Sequence, residues 1–192
     1  VALTNPTLRS QLADPFSALR VKLLRELGPE DRMILVTSTL PGEGKTTLSY
    51  NLALSMAQSG RSVILVDADL RNQQVKDRFG IRQESPGLTE LLRDRSLSVR
   101  DALLPAGDTG LRILAGNTRV SRAMDLLDSG RTREILESLR PLADYVIVDA
   151  PPAGILGDAA VLGRCADRTL YVVRYDGVLR QTICDSMVSL SR

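Results

Sequence analysis

Residues 34–71, ILVTSTLPGEGKTTLSYNLALSMAQSGRSVILVDADLR, decide the fold because they contain two apolar runs separated by a helical pattern. The runs at 33–37 and 62–67 are rich in Val, Ile and Leu and do not alternate with polar residues, which is typical of parallel strands buried on both faces. Between them, apolar residues recur every four positions, as on one face of a helix, at Leu48, Leu52 and Met56. The stretch therefore predicts two parallel strands joined by a crossover helix.

The same pattern continues to the end of the chain. Further strands are predicted at 111–115, 145–149 and 169–174, with helix-spaced leucines between them. We therefore expect an α/β fold with a doubly wound, mostly parallel sheet and helices on both faces. Residues 31–192 form the predicted main α/β domain, preceded by an N-terminal helical extension, 1–30, that packs with it into one globular unit. The helix of this extension is predicted at roughly 14–27.

Composition excludes several classes of function. The chain has 192 residues, 43% apolar and 25% charged, which suits one globular domain with a sizeable core. A net charge of +2 does not favour nucleic acid as a partner. There is no histidine, which excludes imidazole acid–base or metal chemistry. Only three of the 25 basic residues are lysines, which favours a functional role for a lysine inside a glycine-rich loop.

That loop, TLPGEGKT at 39–46, matches the phosphate-binding pattern G-x-x-x-x-G-K-[ST] except that Thr39 replaces the first glycine. The glycines let backbone N–H groups face inward, and the following helix points its N-terminus at the same place. The predicted nucleotide-binding residues are Gly42, Glu43, Gly44, Lys45, Thr46 and Thr47. Lys45 would reach the β- and γ-phosphates and the Thr46 hydroxyl would bind Mg²⁺, while Thr47 could meet the α-phosphate. The alternative is a glycine turn with a surface lysine.

Acidic residues end two of the predicted strands. Asp67 and Asp69 are two positions apart, and such side chains share a face in an extended stretch, so both are expected to point at the phosphate loop. Asp149 ends the strand YVIVD, where an acid would hold Mg²⁺ directly or through water. The alternative for each acid is a turn or cap residue. Asp158 is predicted to be an ordinary helix N-cap.

The segments STLPGEGKTT, ILVDADLR and VIVDAPP resemble the Walker A, Walker A′ and Walker B motifs of the bacterial tyrosine kinases (BY-kinases), within the MinD/ParA-like P-loop ATPases. The resemblance covers the chain from about residue 10 to its end. It implies an ATP-dependent protein-tyrosine (auto)kinase that regulates capsular or exopolysaccharide synthesis or export. It also implies that Lys45 and Asp67 are catalytic, with Asp67 as the proton acceptor. The Mg²⁺ ligands would be Thr46, Asp69 and Asp149, and Arg71 would steady the Walker A′ acids or contact a neighbouring subunit.

Two other functions remain open at this point. Partition and cell-division ATPases share the fold and hydrolyse ATP without phosphorylating protein, but they carry a lysine where this chain has Leu40. The other alternative is a regulatory module that has lost catalysis, and the intact Lys45–Thr46 pair argues against it.

The resemblance implies a membrane polysaccharide co-polymerase as activator, either fused or separate. It places the domain in the cytoplasm at the inner face of the plasma membrane, through this partner or an upstream segment. The family's ring-forming motif E-x-x-R-x-x-R is reduced to Asp14, Ser17 and Arg20, so a homo-oligomeric ring is expected to be weakened. The family's C-terminal tyrosine cluster is missing. Of the four tyrosines, Tyr50, Tyr145 and Tyr171 are predicted to be packing residues, and Tyr175 is the fourth.

Overall fold

The computed structural model describes residues 6–72, 75, 85–118, 120–155, 157–175 and 177–190. Its strands are β1 (Met33–Ser38), β2 (Val63–Asp67), β3 (Leu103–Pro105), β4 (Leu111–Leu114), β5 (Tyr145–Asp149) and β6 (Arg168–Val172). They form one sheet in the order β3-β4-β2-β5-β1-β6. Neighbouring strands are parallel except β3, which pairs antiparallel with β4. The predicted mostly parallel sheet is confirmed.

Helices cover both faces of this sheet, as predicted. They are α1 (Pro6–Glu26), α2 (Lys45–Gln58), α3 (Leu88–Arg93), α4 (Ala123–Leu127), α5 (Gly130–Leu139), α6 (Asp158–Gly163) and α7 (Arg180–Leu190), with a 3₁₀ turn at Arg140–Leu142. One apolar core lies between the sheet and α1 and α2. A second core lies on the opposite face, under α3, α4, α5 and α6. In the described part of the chain, no helix combines the length and the apolar character needed to cross a membrane.

The central strands are buried on both faces, which explains their continuous apolar sequence. In β1, Met33 and Leu35 belong to one core while Ile34 and Val36 belong to the other. All six residues of β1 are buried. β6 is not buried in this way. Its first two residues are exposed and the others are half-buried, because it pairs on one side only, with β1. A buried hydrophobic strand with two covered faces is therefore a feature of the sheet centre.

Two elements differ from the sequence prediction. β3 has three residues, one of them Pro105, and so short a strand carries no periodic signal. The first helix begins at Pro6 rather than near residue 14. The prediction began it too late because the apolar stripe that marks its buried face starts only at Phe16.

α1 packs against α2 through its apolar stripe. Leu23 is buried there, and Leu19, Leu24 and Leu27 are partly buried against the same core. Arg20 adds two hydrogen bonds, donating from Nη1 to the carbonyl oxygen of Ser55 at 2.8 Å and to its Oγ at 3.0 Å. The arginine that remains from the predicted ring motif is thus bound within its own chain. The side chain of Asp14 lies outside the described part of the structure.

Candidate active site

The phosphate loop joins β1 to α2 at the carboxyl edge of the sheet. Gly42 and Gly44 adopt φ values of 82° and 99°, a left-handed region that L side chains rarely enter. Gly44 is the N-cap residue of α2, and no side chain caps that helix end. Among the described residues other than the chain neighbours, no atom lies within 4 Å of the place where a Cβ would stand on either glycine, so the space beside the loop is open. Uncapped N–H groups facing open space at a helix N-terminus form an anion site.

Lys45, the first residue of α2, is buried and pairs with an acid of the neighbouring segment. Its Nζ lies 3.1 Å from Asp69 Oδ2, and both side chains are about nine-tenths buried. The other oxygen, Asp69 Oδ1, accepts the backbone N–H of Asn72 at 3.1 Å. This ion pair holds the ammonium group beside the phosphate loop.

Asp149, at the end of β5, lies under the beginning of α2. Its side chain is 1% exposed, and Oδ1 accepts the hydroxyl of Ser49 at 3.0 Å. Burial raises the pKa of Asp149 to about 6, although the Lys45 ammonium and the hydroxyls of Thr46 and Ser49 act in the opposite direction. The Thr46 hydroxyl therefore lies close enough to the Asp149 carboxyl to lower its pKa. Sequence reasoning missed Ser49, whose position one helical turn after Lys45 was the available signal.

Asp67 is placed differently from Asp69. It is 1% exposed, and its Oδ2 accepts the backbone N–H of Val75 at 3.1 Å. The expectation that both acids point at the phosphate loop assumed an extended chain, but β2 ends at Asp67, so the two-residue alternation stops there. Asp67 instead lies beside Asp149, its register partner on the adjacent strand. Its role as proton acceptor stays a prediction.

A cavity of about 400 Å³ opens over the loop, within the size range of small-molecule sites. Its lining combines loop, acid and proline residues: Pro41, Gly42, Gly44, Lys45, Thr46, Thr47, Asp69, Arg71, Asn72, Pro151, Pro152 and Ile155. Five of the six predicted nucleotide-binding residues are in this set, and the sixth, Glu43, is not. Asp69 is among the described residues that line the cavity, whereas Asp67 is not.

The donor set fits a magnesium-bound polyphosphate. Backbone N–H groups, an ammonium group and hydroxyls suit phosphate oxygens, and carboxylates suit Mg²⁺. Within the described ranges, no three acidic or cysteine side chains are grouped closely enough to hold a metal alone. Mg²⁺ characteristically takes one or two carboxylates and completes its shell with water and substrate phosphates. Thr46, Asp69 and Asp149 would hold it in that way.

Arg71 joins the segment after β2 to the helix that follows β5. Its Nε lies 3.0 Å from Asp158 Oδ2, and its Nη1 donates to the carbonyl oxygen of Ser121 at 2.8 Å. Asp158 is 1% exposed and is the first residue of α6, whose N-cap position is occupied by Gly157. The predicted N-cap role of Asp158 is therefore wrong, because its carboxylate is turned toward Arg71. Arg71 contacts this acid rather than the Walker A′ acids.

Thr39 stands where the phosphate-loop pattern has its first glycine, and the surrounding chain makes room for it. Its Oγ1 lies 2.9 Å from the hydroxyl of Tyr171 on β6, which also hydrogen-bonds Ser186 on α7. Its carbonyl oxygen accepts the N–H of Gly154 at 3.1 Å. A Cβ on Gly154 would lie 2.4 Å from that oxygen, so the close approach needs glycine there. Gly154 thus allows the segment after β5 to approach the Thr39 carbonyl oxygen closely.

Comparisons with known proteins agree with this geometry. Residues 31–174 match the family model described as an AAA domain. The chain is 35% identical over 145 residues to the tyrosine-protein kinase CpsD of Streptococcus pneumoniae, covering 76% of this chain and 63% of that protein. It is 32% identical over 176 residues to the tyrosine-protein kinase YwqD of Bacillus subtilis, covering 90% and 72%. The chain thus spans less than two thirds of the length of CpsD.

The fold is also similar to that of solved kinase domains. The crystal structure of the VpsO kinase domain superposes with a TM-score of 0.86 and 32% sequence identity, covering 96% of this chain and 90% of that one.

Proposed function

Because this chain belongs to the bacterial tyrosine-protein kinase family, we propose that it is an ATP-dependent protein-tyrosine kinase regulating capsular or exopolysaccharide synthesis or export. The observation that carries the proposal is that the glycine cradle, the Lys45–Asp69 pair and Thr46 line one cavity, with Asp149 buried under the start of α2. Phosphoryl transfer needs mainly positioning and charge stabilisation, and these groups supply both.

Each residue has a role in this reaction. A bond forms between the tyrosine oxygen and the γ-phosphorus, the bond to the ADP oxygen breaks, and the phenolic proton passes to Asp67. Lys45 stabilises the charge on the moving phosphoryl group. Thr46, Asp69 and Asp149 hold Mg²⁺, which supplies further neutralisation of phosphate charge when bound.

The proposed partner is a membrane polysaccharide co-polymerase that activates the kinase and holds it at the inner face of the plasma membrane. A homo-oligomeric ring built through the N-terminal motif would be weak. Ser17 cannot make the bidentate contacts of an arginine, and Arg20 is engaged with Ser55.

The main test measures phosphotyrosine on a soluble Glu–Tyr copolymer after incubation with Mg-ATP. We expect labelling by the wild type, and we expect Asp67→Asn to lower its rate by about 100-fold or more, as for loss of a general base. Binding of Mg-ADP should change little. Asp108→Asn, which removes an exposed carboxylate before β4 at the opposite edge of the sheet, is the matched control.

ATP hydrolysis without any phosphotyrosine would contradict the proposal and favour the partition-type ATPase. Equal labelling by the wild type and Asp67→Asn would leave the kinase standing but remove Asp67 as its base.

Tyr175 is the tyrosine of this chain that is best placed to accept a phosphoryl group. Its ring is 91% exposed, whereas Tyr50 is 6% exposed and Tyr145 and Tyr171 are half-buried. A phenol must enter the cleft of another molecule to react, and only an exposed ring can do so without unfolding. We therefore expect that phosphotyrosine formed within residues 1–192 maps to Tyr175 by mass spectrometry.

The Tyr175→Phe variant should remove at least about nine-tenths of that label while labelling of the copolymer continues. The matched control is Tyr145→Phe, at a half-buried site. Label at Tyr50 or Tyr171 in folded protein would show that exposure does not select the acceptor.

A further inference from the structure

The side chain of Glu43 bridges two separate segments at the phosphate loop. Its Oε2 accepts the backbone N–H of Leu40 at 2.6 Å, and its Oε1 accepts the backbone N–H of Arg174 at 3.2 Å. Leu40 lies where the loop leaves β1, and Arg174 follows the end of β6. One carboxylate thus ties the loop both to its own beginning and to the adjacent edge strand.

We propose that Glu43 is a positioning residue that holds the phosphate loop in its nucleotide-binding curvature. We call the pair of bonds from Leu40 and Arg174 to Glu43 the carboxylate bridge. This inference rests on the proposed function, since it concerns the same nucleotide site. It assigns to the Glu43 side chain a task separate from that of its backbone N–H, which belongs to the cradle.

The loop needs such a support because Glu43 stands between its two left-handed glycines, Gly42 and Gly44. Glycine loses more backbone freedom on ordering than any other residue, so a loop with two of them is costly to keep curved. A carboxylate accepts hydrogen bonds and donates none, which matches two N–H donors. Bonds to an ionised acceptor are also stronger than those to a neutral one.

A second contact joins the same two segments. Thr39 Oγ1 lies 2.9 Å from the hydroxyl of Tyr171, three residues before Arg174 on the β6 side. The loop is therefore bound at two places on this side, at Tyr171 within β6 and at Arg174 just after it. The carboxylate bridge is the contact that reaches the glycine-containing part of the loop.

Electrostatics alone would disfavour an acid at this position. A carboxylate in a loop that receives a polyphosphate repels the ligand, so removing its charge should tighten binding. The carboxylate bridge predicts the opposite sign, because a glutamine can accept only one of the two N–H groups and turns its own NH₂ toward the other. Nucleotide affinity therefore distinguishes the two effects.

The experiment compares Glu43→Gln, which keeps the shape and loses the charge, with Glu43→Asp, which keeps the charge and is one methylene shorter. Binding of Mg-ADP is measured by titration calorimetry without any acceptor. We expect both variants to bind about 10-fold more weakly, as for the loss of one charge-assisted hydrogen bond. Glu30→Gln is the matched control, since this exposed acid precedes β1 at the opposite end of that strand.

A second measurement separates positioning from general stability. The KM for ATP should rise by the same factor in both variants while kcat at saturating ATP stays within about two-fold. The thermal midpoint of the nucleotide-free protein should stay close to that of wild type. Tighter binding by Glu43→Gln with unchanged binding by Glu43→Asp would overturn the carboxylate bridge in favour of simple repulsion.

Unchanged affinity in both variants, with wild type binding Mg-ADP, would overturn the inference and leave the kinase untouched. Wild-type protein that binds no Mg-ADP would overturn both, and wild type that binds Mg-ADP but labels no tyrosine would overturn the kinase alone.

Discussion

Replacing Lys45 by methionine is expected to lower the rate of phosphotyrosine formation by about 100- to 1,000-fold, the cost of removing one charged contact to the transition state from a buried site. The ammonium group is the cation placed deepest in the cavity wall, 3.1 Å from Asp69, with its side chain 10% exposed. Methionine has a similar length but carries no charge, so the packing at the start of α2 is kept while the charge is lost.

The substitution has a second effect through the neighbouring acids. The Lys45 ammonium lowers the pKa of Asp149 against the effect of burial, so its removal should move that pKa further above 6. Asp69 loses its ion-pair partner at the same time. Both changes weaken the sites where Mg²⁺ would bind, and we therefore expect the affinity for Mg-ADP to fall as well.

The measurement is transfer of labelled phosphate to the Glu–Tyr copolymer, with circular dichroism to show that the fold is retained. Lys22→Met is the matched control, because Lys22 is an exposed lysine on α1. Wild-type labelling by Lys45→Met would mean that the phosphate loop has been assigned the wrong function.

The sheet and the phosphate loop could be predicted because their sequence signals are local. Continuous apolar runs mark strands buried on both faces, and β1, β2 and β5 have this environment. Gly42 and Gly44 could be recognised because their left-handed φ values favour glycine over any other residue. Features that depend on one strand or one turn are thus readable from a single sequence.

The features that were missed depend on contacts between distant segments. Asp158 looked like a helix cap because that pattern is local, but its partner Arg71 lies 87 residues earlier. Glu43 bridges to Arg174, 131 residues later. Nothing in the spacing of the sequence encodes such pairs, since they arise from the order in which the strands are placed in the sheet.

Asp149→Asn is expected to stabilise the metal-free protein at pH 7 and to remove its phosphoryl transfer. Burial raises the pKa of the Asp149 carboxyl from its ordinary 3.8 to about 6. The folded state therefore binds a proton more tightly than the unfolded chain. Between about pH 4 and pH 6 the stability of the wild type should fall as pH rises, because the unfolded state loses that proton first.

Above pH 6 the fold carries the full cost of burying the ionised Asp149 carboxylate. Two pKa units correspond to about 3 kcal/mol, and asparagine avoids this cost because it is neutral at every pH. Its amide oxygen can still accept the hydroxyl of Ser49. Denaturant unfolding in EDTA from pH 4 to pH 8 measures the effect. We expect the free energy of unfolding to decline with pH for the wild type and to change less for the variant.

Asp144→Asn provides a control of opposite sign. Hydrogen bonds from Ser62 hold the pKa of the Asp144 carboxyl below its ordinary value, and the side chain is exposed, so its loss should slightly destabilise the fold at pH 7. A variant at Asp149 that is less stable than wild type at pH 7, with the same pH dependence, would contradict the raised pKa. The expected gain has a functional meaning, because a bound Mg²⁺ would offset the electrostatic cost of burying this carboxylate.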